Sequence, residues 1–333
     1  MQHSSHGLRI ALLAGASVVA LAAAAPSAGA ADLNKPTLTK APPPAPAPKE
    51  RWTWWIEGGA FNPGGDTFSL GARVSNIKPR WGWEGAAGFD WQPGWGPWHL
   101  SGQFRYGSAQ KTQAFHAGIG GGQSTTLITP GGGTTLVTTA SNNEKIRNDH
   151  WLVDFAVGRD FGLGNANAQW KLGLRVADLR AKLTASGPLS VSAGTVGAFA
   201  AQQNDTFVGA GPRLGVEGST PLGGGWSIDW LAGAALLVGE RHSSQVTATV
   251  LHPGGVTVVS FPGQASSDTP VVFNVDGQAG LSYWFSPNLK ITASYRVDAY
   301  FNALKTIKPG TSTFSSNVDQ IYNGPMLRLT STF

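Results

Sequence analysis

Residues 271–301 read VVFNVDGQAGLSYWFSPNLKITASYRVDAYF. Every second residue from Val271 to Phe285 is apolar or glycine, and the residues between them are mostly polar. After the break Ser286–Asn288 the alternation resumes, and it continues from Lys290 to Phe301. Side chains alternate between two faces on a strand, whereas a 3.6-residue helical period would mix both faces. The stretch therefore predicts two antiparallel strands joined by a short turn.

The same alternation recurs in ten segments, and the breaks between them are alternately short and long. Backbone groups in lipid have to pair internally, so a spanning sheet has to close on itself. The pattern predicts an all-β, transmembrane, antiparallel up-and-down β-barrel of about ten strands, with short periplasmic turns and long extracellular loops. The predicted segments are 52–61, 81–92, 96–108, 148–162, 168–185, 203–219, 225–240, 270–286, 288–302 and 320–333.

Two features leave the strand count and register open. Residues 125–139 and 246–260 are Thr- and Val-rich with a Pro-Gly-Gly centre, which is a hairpin signal. Their arms are shorter than a membrane-spanning strand, so we expect them above the membrane; if they span, the count becomes 12–14. Segment 168–185 changes phase near Ala177 and Asp178, which we interpret as a β-bulge.

The N-terminal residues are typical of an exported protein. Arg9 precedes an apolar run, and Ala28 and Ala30 supply a small-residue cleavage pattern. Residues 31–50 are rich in proline, which favours an extended, solvated chain. We therefore predict a signal peptide at 1–30, a periplasmic spacer at 31–50 and a barrel at 51–333. The predicted location is the bacterial outer membrane, after cleavage of the signal peptide.

The composition excludes several classes of function. There is no Cys, so disulfide scaffolds, thiolate metal sites and thiol catalysis are excluded. Only 13% of the residues are charged, below the roughly 25% of soluble domains. The net charge of +5 comes from basic residues scattered singly, which favours anionic lipid and lipopolysaccharide over nucleic acid as partners. We predict no metal site and no cofactor.

The chain contains 13 Trp, many of them near the ends of predicted strands. Amphipathic indole rings prefer the headgroup level, so we expect them to form interface girdles. A sugar-binding platform is the functional alternative. The predicted girdle consists of Trp52, Trp54, Trp81, Trp83, Trp91, Trp98, Trp151, Trp170, Trp226 and Trp284.

Charged residues of both signs fall on the predicted inward face. One interpretation is a passive pore for ions or small solutes, with inward glycines such as Gly107 and Gly233 leaving space. The other is a structural or adhesion barrel, because small barrels are filled by their own side chains. The candidate lumen residues are Glu57, Glu84, Arg105, Asp154, Arg175, Arg213, Asp229, Asp276, Lys290, Arg296, Asp298 and Arg328. The sequence does not determine the solute or the oligomeric state.

A protease-like enzyme is a second alternative. Asp149 and His150 fall near a predicted external strand end, where an acid and a base could activate water. The sequence lacks HExxH and GxSxG motifs, so we predict that the chain is not an enzyme and has no catalytic residues.

The C-terminal residues Leu327, Leu329 and Phe333 share the outward face and resemble the signal by which barrel-assembly machinery recognises its substrates. The runs YWFSPNLKITASYRVDAYFNAL (283–304), YNGPMLRLTSTF (322–333) and WKLGLRVADLRAKL (170–183) resemble strands of the Legionella-type pore-forming major outer membrane proteins. This resemblance covers roughly a sixth of the chain. It implies a pore-forming barrel of the α-proteobacterial type.

Overall fold

Antiparallel strands make up almost all of the part of the chain that the computed structural model describes. No helix long and apolar enough to cross a membrane occurs in that part. The predicted signal peptide and all but the last residue of the predicted spacer lie outside it. The described residues are 50–65, 69–70, 73–74, 80–94, 96–116, 123–128, 134–139, 141–191, 196–252, 257–307 and 314–333.

Fifteen strands are numbered in chain order. Four hairpin turns lie at the end of the barrel that carries the chain termini. Two of these turns contain glycines with positive φ, namely Gly164 in one and Gly223–Gly225 in the other. The strands are β1 (Arg51–Gly65), β2 (Ser69–Leu70), β3 (Arg73–Val74), β4 (Gly82–Gln92), β5 (Trp98–His116), β6 (Gln123–Ile128), β7 (Thr134–Thr139), β8 (Ser141–Leu163), β9 (Ala166–Val191), β10 (Val196–Gly223), β11 (Trp226–His252), β12 (Thr257–Asp268), β13 (Val271–Ser286), β14 (Leu289–Ile307) and β15 (Phe314–Thr332).

Ten of these strands close into a barrel in the order β1-β4-β5-β8-β9-β10-β11-β13-β14-β15, and β15 pairs with β1. Closure is antiparallel throughout; Glu57 of β1, for example, lies opposite Arg328 of β15. The strands of the barrel overlap the ten predicted segments, so the predicted fold class and strand count are confirmed.

The two predicted loop hairpins lie outside the ring of ten strands. β6 pairs with β7, which joins the far end of β9 through Val137 and Thr138. β12 folds back on the extension of β11 and ends at Asp268, opposite Arg241. Neither hairpin spans, so the count of 12–14 does not apply.

Strands β8 to β11 are 23 to 28 residues long, more than twice the roughly 9–11 residues that span a bilayer. Their lower parts expose apolar side chains outward, such as Leu172 and Leu174 on β9. Further along β9 the pattern reverses: Leu179 and Leu183 are buried inside and Arg180 is exposed outside. The strands therefore continue well beyond the apolar band as a barrel that encloses a cluster of buried apolar side chains.

The reversal on β9 corrects the predicted β-bulge. Ala177 and Asp178 keep an unbroken register with both neighbouring strands. The hydrophobic phase changes because the surroundings change: outside the membrane the outward face meets water, and the inward face becomes the apolar core. A change of solvent produces the same sequence pattern as an inserted residue.

Candidate functional site in the barrel interior

All twelve candidate lumen residues lie on the inward faces of their strands, as the alternation predicts. Nine of them are buried, which removes them from bulk water. Asp229, Lys290 and Arg328 are partly exposed, with side-chain exposures of 22%, 13% and 23%. The buried members form two linked clusters of ion pairs.

The first cluster is centred on Arg175, which is fully buried. Its Nε and Nη2 donate to the two oxygens of Asp154 at 2.8 and 2.7 Å, and its Nη1 donates to Asp276 Oδ1 at 3.0 Å. Nη1 also donates to Asn274 Oδ1 at 2.5 Å. Arg213 Nη2 donates to the second oxygen of Asp276 at 2.7 Å. These bonds join strands β8, β9, β10 and β13 inside the barrel.

The second cluster is centred on Arg296. It donates to Glu57 Oε1 at 2.6 Å and to Glu84, which joins β14 to β1 and β4. Arg328 Nε donates to Glu57 Oε2 at 2.9 Å. Arg105 Nη1 donates to Asp298 Oδ2 at 3.2 Å. Each buried carboxylate here is next to at least one guanidinium, which compensates for the loss of hydration.

Some of these contacts cross the barrel. Arg105 is on β5 and Asp298 on β14, four places apart in the ring of ten strands. Asn148 of β8 donates to Gln320 of β15 at 3.2 Å across the same number of places. Opposite walls are therefore in direct side-chain contact, and the described interior is filled at these levels.

Above the ion pairs the interior combines an apolar cluster with buried polar side chains such as Asn148 and Gln320. Phe61, Leu152, Leu179, Phe207 and Tyr300 are among the fully or almost fully buried side chains that form one continuous cluster. This cluster fills the barrel where the strands leave the apolar outer band.

Inward glycines make room for these side chains. A Cβ on Gly107 would lie 2.4 Å from Cε1 of His150, and one on Gly233 would lie 2.6 Å from Nη2 of Arg213. The space that the sequence interpretation assigns to a solute is therefore occupied by neighbouring rings and guanidinium groups.

A third charged group lies at the periplasmic mouth, and its centre was not predicted from the sequence. His99 is buried between Asp90, 2.6 Å from Nδ1, and Asp160, 3.1 Å from Nε2. Lys171 pairs with Asp90 at 3.1 Å and with Glu217 at 2.7 Å. His99 follows a break and lacks a motif, so only the pairing of β4, β5, β8, β9 and β10 brings the group together.

At the external end, Arg241 is buried and joins β11 to three other strands. It donates to both oxygens of Asp268, to the carbonyl oxygen of Asn302 at 2.8 Å and to Asn317 Oδ1 at 3.2 Å. Hydrogen bonds from Arg241 hold the pKa of Asp268 well below its usual range. Asp205 of β10 is nearby and is also buried, and burial raises its pKa to about 7. It lies outside the apolar band, because Val208 is the last outward apolar residue of β10 before a polar stretch.

The tryptophans lie at both ends of the apolar band. Nine of the ten predicted girdle residues point outward, and Trp52 stacks on Trp91 with centroids 5.3 Å apart. The prediction is wrong for Trp284, which shares the inward face with Ser282. Its ring centroid lies 5.2 Å from Lys290 Nζ. The outward ring at that strand end is Tyr283, which packs against Trp226.

The enzyme candidates do not form a site. Asp149 points outward and pairs with Arg147, whereas His150 points inward and lies 2.9 Å from Glu84. Adjacent strand residues face opposite sides, so the two cannot act on one substrate. Within the described residues no group of three His, Cys, Asp or Glu could hold a metal ion.

The predicted assembly residues Leu327, Leu329 and Phe333 are outward and exposed, with Phe333 at the end of the barrel. The predicted cleavage residues Ala28 and Ala30 lie outside the described residues. Both roles stay predictions.

A closed barrel of ten antiparallel strands, with an outward apolar band bordered by aromatic rings, defines an integral outer-membrane β-barrel protein. Residues 59–333 match the family described as Legionella pneumophila major outer membrane protein precursor. The chain belongs to this family, and the predicted resemblance is confirmed. No curated protein matches the chain.

Several solved structures are similar to the chain. The outer membrane protease OmpT from Escherichia coli has 12% identity and a TM-score of 0.36, over 85% of this chain and 97% of that chain. A major outer membrane protein from Thermus thermophilus has 12% identity and a TM-score of 0.28, over 85% and 99%. Ail, the attachment invasion locus protein of Yersinia pestis, has 12% identity and a TM-score of 0.24, over 86% and 99%.

Proposed function

We propose that this protein is a closed outer-membrane barrel with a structural and surface-binding role, and that it does not allow free diffusion of solutes. The observation that carries the proposal is the filled interior. The Arg175 and Arg296 clusters join strands around the ring, and Arg105 reaches Asp298 across it. A solute would have to separate buried ion pairs, which is strongly unfavourable.

A second observation supports the surface role. Strands β8 to β11 continue beyond the apolar band, and β6, β7 and β12 extend the sheet further. The external part that the structure describes is mainly regular β-structure around its own apolar cluster, which makes a rigid platform. Rigid elements hold binding groups more accurately than loops do.

The passive pore remains the alternative, and conductance distinguishes the two. Mature protein is refolded and its heat-modifiable mobility is verified, and it is then added to a planar bilayer in KCl solution. The closed barrel predicts no stable conductance steps and no swelling of liposomes in arabinose. Reproducible steps from every folded preparation would refute the closed barrel and establish the pore.

The surface role has its own test. Cells producing the full chain are compared with cells in which residues 247–261 are replaced by Asn-Gly, which removes the tip of the β11–β12 hairpin and keeps Arg241 and Asp268. We expect weaker cell-to-cell aggregation and adherence to polystyrene at equal surface levels. Unchanged adherence and aggregation would show that this hairpin is not a binding element.

A further inference from the structure

Four cations project from the outer wall of the barrel above the membrane. Lys145 and Arg147 lie on β8, and Arg180 and Lys182 lie on β9. All four are exposed; the side chains of Arg147 and Arg180 are 48% and 60% accessible. Their strand neighbours Ile146 and Ala181 are buried inside. We call these four residues the β8–β9 basic face.

The arrangement of the basic face is unfavourable without an anion. Arg147 lies directly opposite Lys182 in the β8–β9 register, and like charges directly opposite each other destabilise a sheet. Among the described residues this surface carries two carboxylates, and both are already engaged: Asp149 pairs with Arg147 at 2.7 Å and Asp178 with Arg180 at 2.6 Å. Four cations against two carboxylates leave an excess of two positive charges.

The basic face lies at the external membrane interface. Directly below it, Trp151 lies opposite Asp178 and donates to it at 3.1 Å. Further down the same two strands, Phe155 and Leu174 expose their side chains to lipid. A molecule standing along this wall would contact apolar side chains below the tryptophan level and cations above it.

We infer that the β8–β9 basic face binds the phosphate groups of a phosphorylated glycolipid of the outer leaflet, that is, the lipid A part of lipopolysaccharide. Guanidinium groups bind phosphate through paired, charge-assisted hydrogen bonds, and ammonium groups add point charges. The phosphates neutralise the excess charge while the acyl chains cover Phe155 and Leu174. This inference depends on the location in the outer membrane and not on whether the lumen is closed.

The test uses the refolded mature protein in nanodiscs and bisphosphorylated lipid A as the probe. The variant Lys145→Gln with Lys182→Gln removes the two lysines, which form no ion pair with the residues that the structure describes, and leaves both Asp–Arg pairs intact. We expect at least tenfold weaker binding of lipid A, measured as bound lipid per barrel by native mass spectrometry. Arg80→Gln is the matched control, since Arg80 is exposed at the external end before β4, and it should bind like the wild type.

The ligand is varied as well as the protein. Dephosphorylated lipid A should bind the wild type and the double variant equally, and millimolar inorganic phosphate should not displace lipid A. Equal lipid A binding by the double variant and the wild type would overturn the inference. Displacement by inorganic phosphate would also overturn it, because it would show a general anion site. Conductance of the same samples is scored separately, so a pore would leave this result intact.

Discussion

Replacing Arg175 with Met tests whether the central ion pairs hold the barrel together. Methionine keeps much of the side-chain length but removes the charge and four hydrogen bonds to Asp154, Asp276 and Asn274. Asp276 keeps Arg213 at 2.7 Å, whereas the remaining partners of Asp154 among the described residues are Gln103 and, at 3.6 Å, Arg213. Removing one partner of a buried ion pair costs roughly 3–5 kcal/mol, so we expect the free energy of unfolding to fall by about that amount.

The assay is urea unfolding of the barrel in lipid vesicles, followed by tryptophan fluorescence and heat-modifiable mobility. Lys290→Met is the matched control, because Lys290 pairs with the partly exposed Asp229 at the rim, and it should cost about 1 kcal/mol or less. Adding Asp154→Asn to Arg175→Met removes the uncompensated carboxylate and should recover part of the loss. If Arg175→Met folds and costs no more than Lys290→Met, the central cluster does not stabilise the barrel. If it does not fold, Asp154→Asn alone replaces it and should cost more than the control.

Three further predictions concern other parts of the barrel. Gly107→Ala should lower the unfolding free energy by roughly 1–3 kcal/mol, since the new Cβ meets the buried ring of His150; an unchanged urea midpoint would contradict this close packing. The pKa of Asp205 is raised to about 7, so the folded state binds the carboxyl proton more tightly than the unfolded state does. The stabilisation from the protonated Asp205 is therefore complete below about pH 4, and it falls by about 4 kcal/mol as the pH rises to about 7. Asp205→Asn should flatten that dependence of the thermal midpoint, and parallel pH profiles would refute it. Leu214→Arg, on the exposed lipid face, should cost about 2–4 kcal/mol. Gln202→Arg, on the same outward face of β10 beyond the apolar band and opposite the uncharged Thr184 and Val246, should cost less than about 1 kcal/mol. Equal costs would show that the apolar band does not end between these two residues.

The strand count and the inward faces could be predicted because each depends on local alternation. Glu57 and Asp276 lie inside for the same reason that Ile56 and Val275 lie outside. A period of two assigns a face to each residue but no partner. Arg105 and Asp298 are 193 residues apart, and their contact depends on how all the intervening strands are staggered. The sequence therefore predicted charges in the lumen without showing that they fill it.

The errors have related physical causes. Trp284 is of the residue type that forms girdles, but it shares the inward face with Ser282, two residues earlier on the strand. The alternation of faces along the strand therefore predicts its position better than the residue type does. The reversal at Ala177 and Asp178 indicates a bulge only if one solvent surrounds the whole strand, and this strand passes from lipid into water. The alternation of faces along β5 indicates the position of His99, because it places His99 on the same inward face as Arg105.

The reversal of polarity along β9 also fixes the depth of the protein in its membrane. Below Asp178 the outward face tolerates only hydrocarbon, and above it only water and headgroups, so a shift along the membrane normal exposes the wrong side chains at both borders at once. The barrel should therefore keep its position in bilayers of different thickness and deform the lipid around it instead of sinking or rising. Acyl-chain length would then change the elastic cost borne by the lipid, while the external β-structure stands at a constant height above the tryptophan level.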